Sequence, residues 1–129
     1  QELIEAAMRR MCNGIASSFN LHIDFKYTRG YPPTINATEA TEVCRKVAAQ
    51  VAGAANVLTD LPPTMGAEDF AFMLQAKPGC YVWLGSGGEA GGTEGGCLLH
   101  NPHYDFNDEI IPIGVSYWAR LAEHVLSNA

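Results

Sequence analysis

The sequence predicts a mixed α/β fold, and three features point that way. Apolar residues recur every three or four positions over residues 2–18, the spacing of one helix face. "LHIDFKYT" (residues 21–28) alternates apolar and polar side chains strictly, as a strand with one wet face does. "CYVWLGS" (residues 80–86) is dense in β-branched and aromatic residues, the composition of a buried strand.

Taken in order, the first helix carries Leu3, Ile4, Met8, Met11, Cys12 and Ile15 on one face, with Glu2, Glu5, Arg9 and Asn13 on the other. In the strand, Leu21, Ile23, Phe25 and Tyr27 share the apolar side, and His22 falls on the wet side, where solvation accounts for it. "RGYPPTIN" (residues 29–36) ends this pattern. Its consecutive prolines bias Tyr31 and Pro32 toward extended backbone, so the stretch reads as a crossover between substructures. A second helix follows, with Asn36 and Glu39 in capping-box spacing. Ala40, Val43, Cys44, Val47, Ala48 and Val51 face a core. Asn36-Ala37-Thr38 also fits a glycosylation sequon, but the absence of a secretion signal favours a cap.

"ANVLTDLPPT" (residues 55–64) is a short apolar run and a turn. "AEDFAFMLQA" (residues 67–76) reads as a short helix stopped by Lys77-Pro78-Gly79. Pro112 occupies the first turn of a closing helix, which aligns Ile113, Tyr117, Leu121 and Val125. No internal repeat is present. A chain of 129 residues supports one domain with a real core and is short for two. The helix-strand unit of residues 1–30 cannot bury its own apolar face, so it must pack on something else.

Composition narrows the function. A net charge of −6 with eight basic residues gives no basic stripe, which argues against nucleic acid as a partner. No apolar run approaches the ~20 residues that span a bilayer, so no membrane partner is expected. The amphipathic, acidic start "QELIEAAMRRM" is unlike a signal peptide. Cys12, Cys44, Cys80 and Cys97 are scattered without a C-x-x-C pair, which suggests reduced, mostly buried thiols and a cytoplasmic protein.

Three motifs invite chemistry. "GSGGEA" (residues 85–90) satisfies a dinucleotide pattern after a strand. The helix N-terminus that must hold the pyrophosphate is missing, and "GGTEGGC" follows instead. A loop at the carboxyl end of a strand is the better account of residues 85–96, which hold seven of the thirteen glycines. Cys97 lies three residues from His100, but nothing around it indicates an activated thiolate. His100, in "CLLHNPHYDFND" (residues 97–108), is the sharper candidate. A neutral imidazole is a good ligand for zinc, manganese and related ions, and needs a partner on its other nitrogen. Asp105, Asn107 and Asp108 could supply that partner or could cap the closing helix. From the residues alone, His100 is either a metal ligand or part of a polar bend. In "MGAEDF" (residues 65–70), Glu68 and Asp69 either complement a helix dipole or line a loop facing substrate.

Together, "RGYPPTIN", "MGAEDFAFML", "CYVWLGSG" and "LHNPHYDFNDEIIPIGVSYWARLAEHVL" resemble, in order and over essentially the whole chain, the C-terminal part of a metallopeptidase family. Its members include hippurate hydrolase, N-acyl-amino-acid amidohydrolases and the plant auxin-conjugate hydrolases. The resemblance implies a partial zinc-exopeptidase-like α/β catalytic domain with the last helix and strand of an inserted α+β lid. Residues 1–30 would then end the lid, which dimerises in such enzymes, and residues 31–129 would form the C-terminal portion of the catalytic domain. It further implies that His100 is a ligand of a two-metal centre of zinc, manganese, nickel or cobalt, whose ions polarise an amide carbonyl and activate water. Gly66, Ala67 and Glu68 would face an N-acyl amino acid substrate.

The family's Cys-Gly-His-Asp motif, paired glutamates, second histidine ligand and general base are absent from this sequence. The expectation is therefore a segment that is inactive and metal-free on its own, whose partners are the missing N-terminal part of the same enzyme and a second lid. The alternative is a non-catalytic binding or dimerisation module built on residues 1–30.

Overall fold

A computed structural model describes residues 1–87 and 99–127. Most of the glycine-rich loop, including Cys97, lies outside the described residues. Four α-helices are present among the described residues: α1 (Glu2–Phe19), α2 (Thr38–Ala52), α3 (Phe70–Ala76) and α4 (Ile111–Ser127). Short 3-10 turns follow α2 at Ala54–Asn56 and precede α4 at Asp108–Ile110. The chain divides into two units, Gln1–Gly30 and Tyr31–Ala129.

In the first unit, α1 ends on Asn20, whose φ of 52° is left-handed. The Leu21 amide donates back to the Ala16 carbonyl at 2.9 Å, which closes the helix end as a left-handed cap residue commonly does. Residues 21–28 are extended but form no strand among the described residues, correcting the sequence expectation. Their alternation survives in burial: Ile23, Phe25 and Tyr27 are half-buried while His22, Asp24 and Lys26 are exposed. A strand needs a ladder of backbone partners, and this stretch has none among the described residues. Arg29 joins the ends of the unit instead, donating to Glu5 at 2.9 Å. That bond is the main cause holding the Glu5 carboxyl below its ordinary pKa. Arg9 adds its guanidinium over the Phe25 ring, 4.9 Å from the centroid. The apolar face expected on α1 is largely uncovered, with Leu3, Met11 and Ile15 all exposed.

The core of the second unit lies between α2 and α4, which pack against each other. The apolar stripe expected on α2 is the one that is covered: Cys44 and Val47 are buried, and Ala40, Val43, Ala48 and Val51 are half-buried. Val47 is fully enclosed. On α4, Tyr117 and Leu121 face inward, and Gly114 lies so near Leu84 that an added Cβ would stand 3.4 Å from its methyl group.

Residues 80–86, read as a buried strand, also pair with no strand among the described residues, and Val82, Trp83 and Leu84 are exposed. What holds this segment is a side chain. The Asn36 amide donates to the Tyr81 carbonyl at 2.9 Å and accepts from the Tyr81 amide at 2.8 Å, satisfying both backbone groups as a neighbouring strand would. The Ala37 amide adds a bond to the Gly79 carbonyl at 2.9 Å. Asn36 is therefore not the expected helix cap; the α2 N-cap is Ala37, without a side-chain bond.

Two stability outcomes follow. Val47→Ala should cost about 2 kcal/mol in urea unfolding of the chain, from lost burial and the space left behind. Asn36→Ala should cost about 1 kcal/mol. Asn36→Asp should cost more than Asn36→Ala at neutral pH, because an ionised carboxylate would face the Tyr81 carbonyl. Equal midpoints for these two variants would contradict the paired-amide account.

Candidate functional site

Glu68 sits one residue before the α3 cap, Asp69. Its Oε1 accepts from the Phe70 amide at 3.1 Å, and its Oε2 accepts from the Tyr81 hydroxyl at 2.9 Å. The Phe70 amide is the larger cause of a lowered Glu68 pKa, with the Tyr81 hydroxyl next. The same bond raises the Tyr81 phenol, since the neutral hydroxyl is the donor. The carboxylate is thus held ionised and oriented through both oxygens. The Phe70 ring stands 5.5 Å from the Tyr81 ring, packing beside this hydrogen bond. Gly66 and Ala67, expected to line the same cleft, are exposed, and Met65 is fully so.

Tyr81 also walls an apolar cleft of about 480 Å³ between α2, α4 and the extended segment. Val43, Cys44, Cys80, Trp118 and Leu121 complete much of its lining. The Tyr117 hydroxyl is buried without a hydrogen-bond partner among the described residues. Burial is the main reason its pKa is raised, and the Cys44 thiol beside it is the next. Neither His100 nor Glu68 lines this cleft.

His100 lies elsewhere, on the turn before α4. It is exposed and has a φ of 70°, the left-handed region that non-glycine residues seldom occupy. The bend itself is made by Asn101: its carbonyl accepts from the Tyr104 amide and its side chain accepts from the His103 amide, both at 2.9 Å. Of the residues expected either to support His100 or to cap the closing helix, Asn107 caps the 3-10 turn that leads into it. Its Oδ1 accepts from the Glu109 amide at 3.0 Å, and its Nδ2 donates to the Ser86 carbonyl at 2.9 Å. Among the described residues no three histidine, cysteine or acidic side chains come together as a metal cluster. One imidazole offers a single coordination position, whereas catalytic zinc takes about three protein ligands.

Sequence reasoning missed Tyr81 and Asn36. Tyr81 was absorbed into a run read as core, and Asn36 into a helix cap. The signal in the sequence is a phenol within a largely apolar run, since a tyrosine hydroxyl in such a setting usually finds a polar partner.

Comparison with known proteins places this sequence in a family. Residues 6–124 match the profile of Peptidase family M20/M25/M40. Hippurate hydrolase of Campylobacter jejuni is 31% identical over 95% of this chain and 30% of its own length. An IAA-amino acid hydrolase of Arabidopsis thaliana (ILR1-like 4) is 29% identical over 98% of the chain and 27% of its own. N-acetylcysteine deacetylase of Bacillus subtilis is 29% identical over 99% of the chain and 31% of its own. The chain therefore spans under a third of these relatives' length. No solved structure matches. With the family profile running from α1 to the last turns of α4, the chain belongs to Peptidase family M20/M25/M40, whose membership fits an α/β exopeptidase-like fold, although the described residues form helices and no strand.

Proposed function

We propose that this chain is the C-terminal segment of a metal-dependent amidohydrolase that cleaves the amide bond of N-acyl amino acids. The observation that carries the reading is the match over residues 6–124 to a peptidase family, joined by relatives whose names specify hippurate, IAA-amino acids and N-acetylcysteine as substrates. All three are N-acyl amino acids, so the common chemistry is a secondary amide next to a carboxylate.

Within that reading, residues 1–30 are the end of the lid and residues 31–129 the C-terminal portion of the catalytic domain. His100 fills one position of a divalent metal centre, of zinc, manganese, nickel or cobalt. Its exposed ring on a left-handed backbone supports this role, because such a conformation is retained where function compensates its cost. The metal, when bound, supplies Lewis-acid polarisation of the amide carbonyl and acidification of water. The rest of the ligands and the general base come from the missing N-terminal part, so the segment alone is inactive. Gly66, Ala67 and Glu68 face the substrate, with the Glu68 carboxylate fixed by Phe70 and Tyr81. An ionised Glu68 repels a substrate carboxylate and accepts a hydrogen bond from an amide N–H. Its role is therefore to orient the amide end of the substrate.

A dimerisation role for residues 1–30 is favoured by a separate observation, the exposure of Leu3, Met11, Ile15 and Phe19 on α1. It is compatible with catalysis if the lid pairs in the complete enzyme.

In the complete enzyme, His100→Ala should lower bound metal per subunit and reduce turnover at least about a hundredfold, as loss of a ligand does. Metal analysis and hydrolysis of hippurate read this out; wild-type metal content in the variant would exclude ligation. The 129-residue chain itself should show no metal-dependent hydrolysis of hippurate.

Tyr81→Phe should raise the Glu68 pKa toward the ordinary carboxylate value, read by carboxyl NMR titration. Because the folded pKa is depressed, the stability this bond gives is present above the unfolded value. It is lost as pH falls through the folded one. The stability gap between wild type and variant should therefore close on acidification below the ordinary carboxylate range; a gap that widened would contradict the bond.

A further inference from the structure

Cys44 and Cys80 are distant in sequence and face the same cleft as free thiols. Cys44 is buried at the middle of α2, and Cys80 is half-buried on the extended segment opposite. The backbone leaves Cys80 little freedom. Gly79 on one side is bonded to Ala37, and Tyr81 on the other is bonded twice to Asn36. Both anchors lie immediately before α2, so the residue between them is held beside the helix that carries Cys44. Thr41, one turn before Cys44, and Cys44 itself both lie near enough to the Cys80 thiol to influence its ionisation.

We propose that Cys44 and Cys80 form a redox pair, closing to an intrachain disulfide with small-molecule disulfides such as glutathione disulfide as the oxidant. The Cys80 thiolate, the more accessible of the two, attacks one sulfur of glutathione disulfide. A protein–glutathione bond forms, and one glutathione leaves as thiolate. The Cys44 thiolate then attacks the Cys80 sulfur and releases the second glutathione. Both cysteine protons go to solvent or to the departing thiolates. The protein loses two electrons, and glutathione disulfide gains them.

Burial keeps the Cys80 thiol protonated, which slows the first attack. It does not oppose the final bond, whose equilibrium depends on how often the second thiol stands beside the first. Here the backbone anchors hold the segment that carries Cys80 against the cleft that Cys44 also lines. The bond would cross from α2 to the segment whose next residue, Tyr81, grips Glu68. Oxidation would thereby fasten the segment whose Tyr81 hydroxyl holds Glu68. The pairing itself is independent of the proposed hydrolytic role.

The test uses the full chain with Cys12→Ser and Cys97→Ser, and the unsubstituted chain in parallel. Each is equilibrated with glutathione disulfide and glutathione, alkylated, digested and mapped. Trypsin cuts after Arg45 and Lys46, which separates Cys44 from Cys80, and chymotrypsin cuts after Trp83, which separates Cys80 from Cys97, so a joined peptide reports the bridge directly. The expected result is loss of both free thiols, a Cys44–Cys80 peptide reversed by dithiothreitol, and a bridged fraction about tenfold above that in urea. A thermal midpoint raised by oxidation and unaffected in Cys44→Ser would agree. Persistent alkylation of both thiols would overturn the proposal. So would a glutathione adduct on Cys80 without the bridge, or no preference over the unfolded chain. If the double variant unfolds, mapping of the unsubstituted chain decides, and scrambled pairing with Cys12 or Cys97 there counts against it.

Discussion

The two hydrogen bonds from the Asn36 side chain to Tyr81 organise most of what is chemically interesting in residues 31–129. An extended segment leaves a donor and an acceptor at every residue, and a partner for both fixes the backbone even at this exposed position. In a sheet the next strand supplies both. Here one primary amide does so, because a carboxamide carries a donor and an acceptor in the spacing of a peptide group. An ionised aspartate at position 36 could only accept, and alanine could do neither. Once Tyr81 is fixed, its ring stands beside Phe70, its hydroxyl reaches Glu68, and its neighbour Cys80 is turned toward α2.

The helices were legible from the sequence because a helix is specified locally. The spacing of Val43, Cys44, Val47 and Val51 allows only one face to be covered, and that face is covered. Strands are not local. The alternation of Ile23, Phe25 and Tyr27 correctly separated half-buried from exposed side chains, but alternation says nothing about whether a partner strand is at hand. Residues 80–86 show the same limit: their composition suits a buried strand, yet Trp83 and Leu84 remain exposed. The α1 stripe was read correctly as apolar, and its exposure reflects how little of residues 20–30 is available to cover it.

Candidate site residues were legible to different degrees for a similar reason. Histidine and paired carboxylates announce themselves by type, so His100 and Glu68 could be singled out at once. Their settings could not. Glu68 takes its character from Tyr81, thirteen residues on, and Asn107 serves the turn before α4 and the Ser86 carbonyl rather than His100. Contacts that join separate stretches are set by tertiary packing, which neither period nor motif encodes.

Under the proposed function, the contrast between Glu68 and His100 bears on how a divided site would be assembled. Glu68 has its carboxylate satisfied within residues 31–129, by one backbone amide and one phenol. Its orientation is thus settled before any other polypeptide or substrate arrives. His100 is the opposite case: an exposed ring on a left-handed backbone, next to a bend locked by Asn101. A ligand that must meet donors from other polypeptide gains from a rigid base and an open ring, because bonds made elsewhere can then fix the ring without competing with local ones. In an assembled centre, the locked Asn101 turn would limit the backbone ordering needed when that imidazole is engaged.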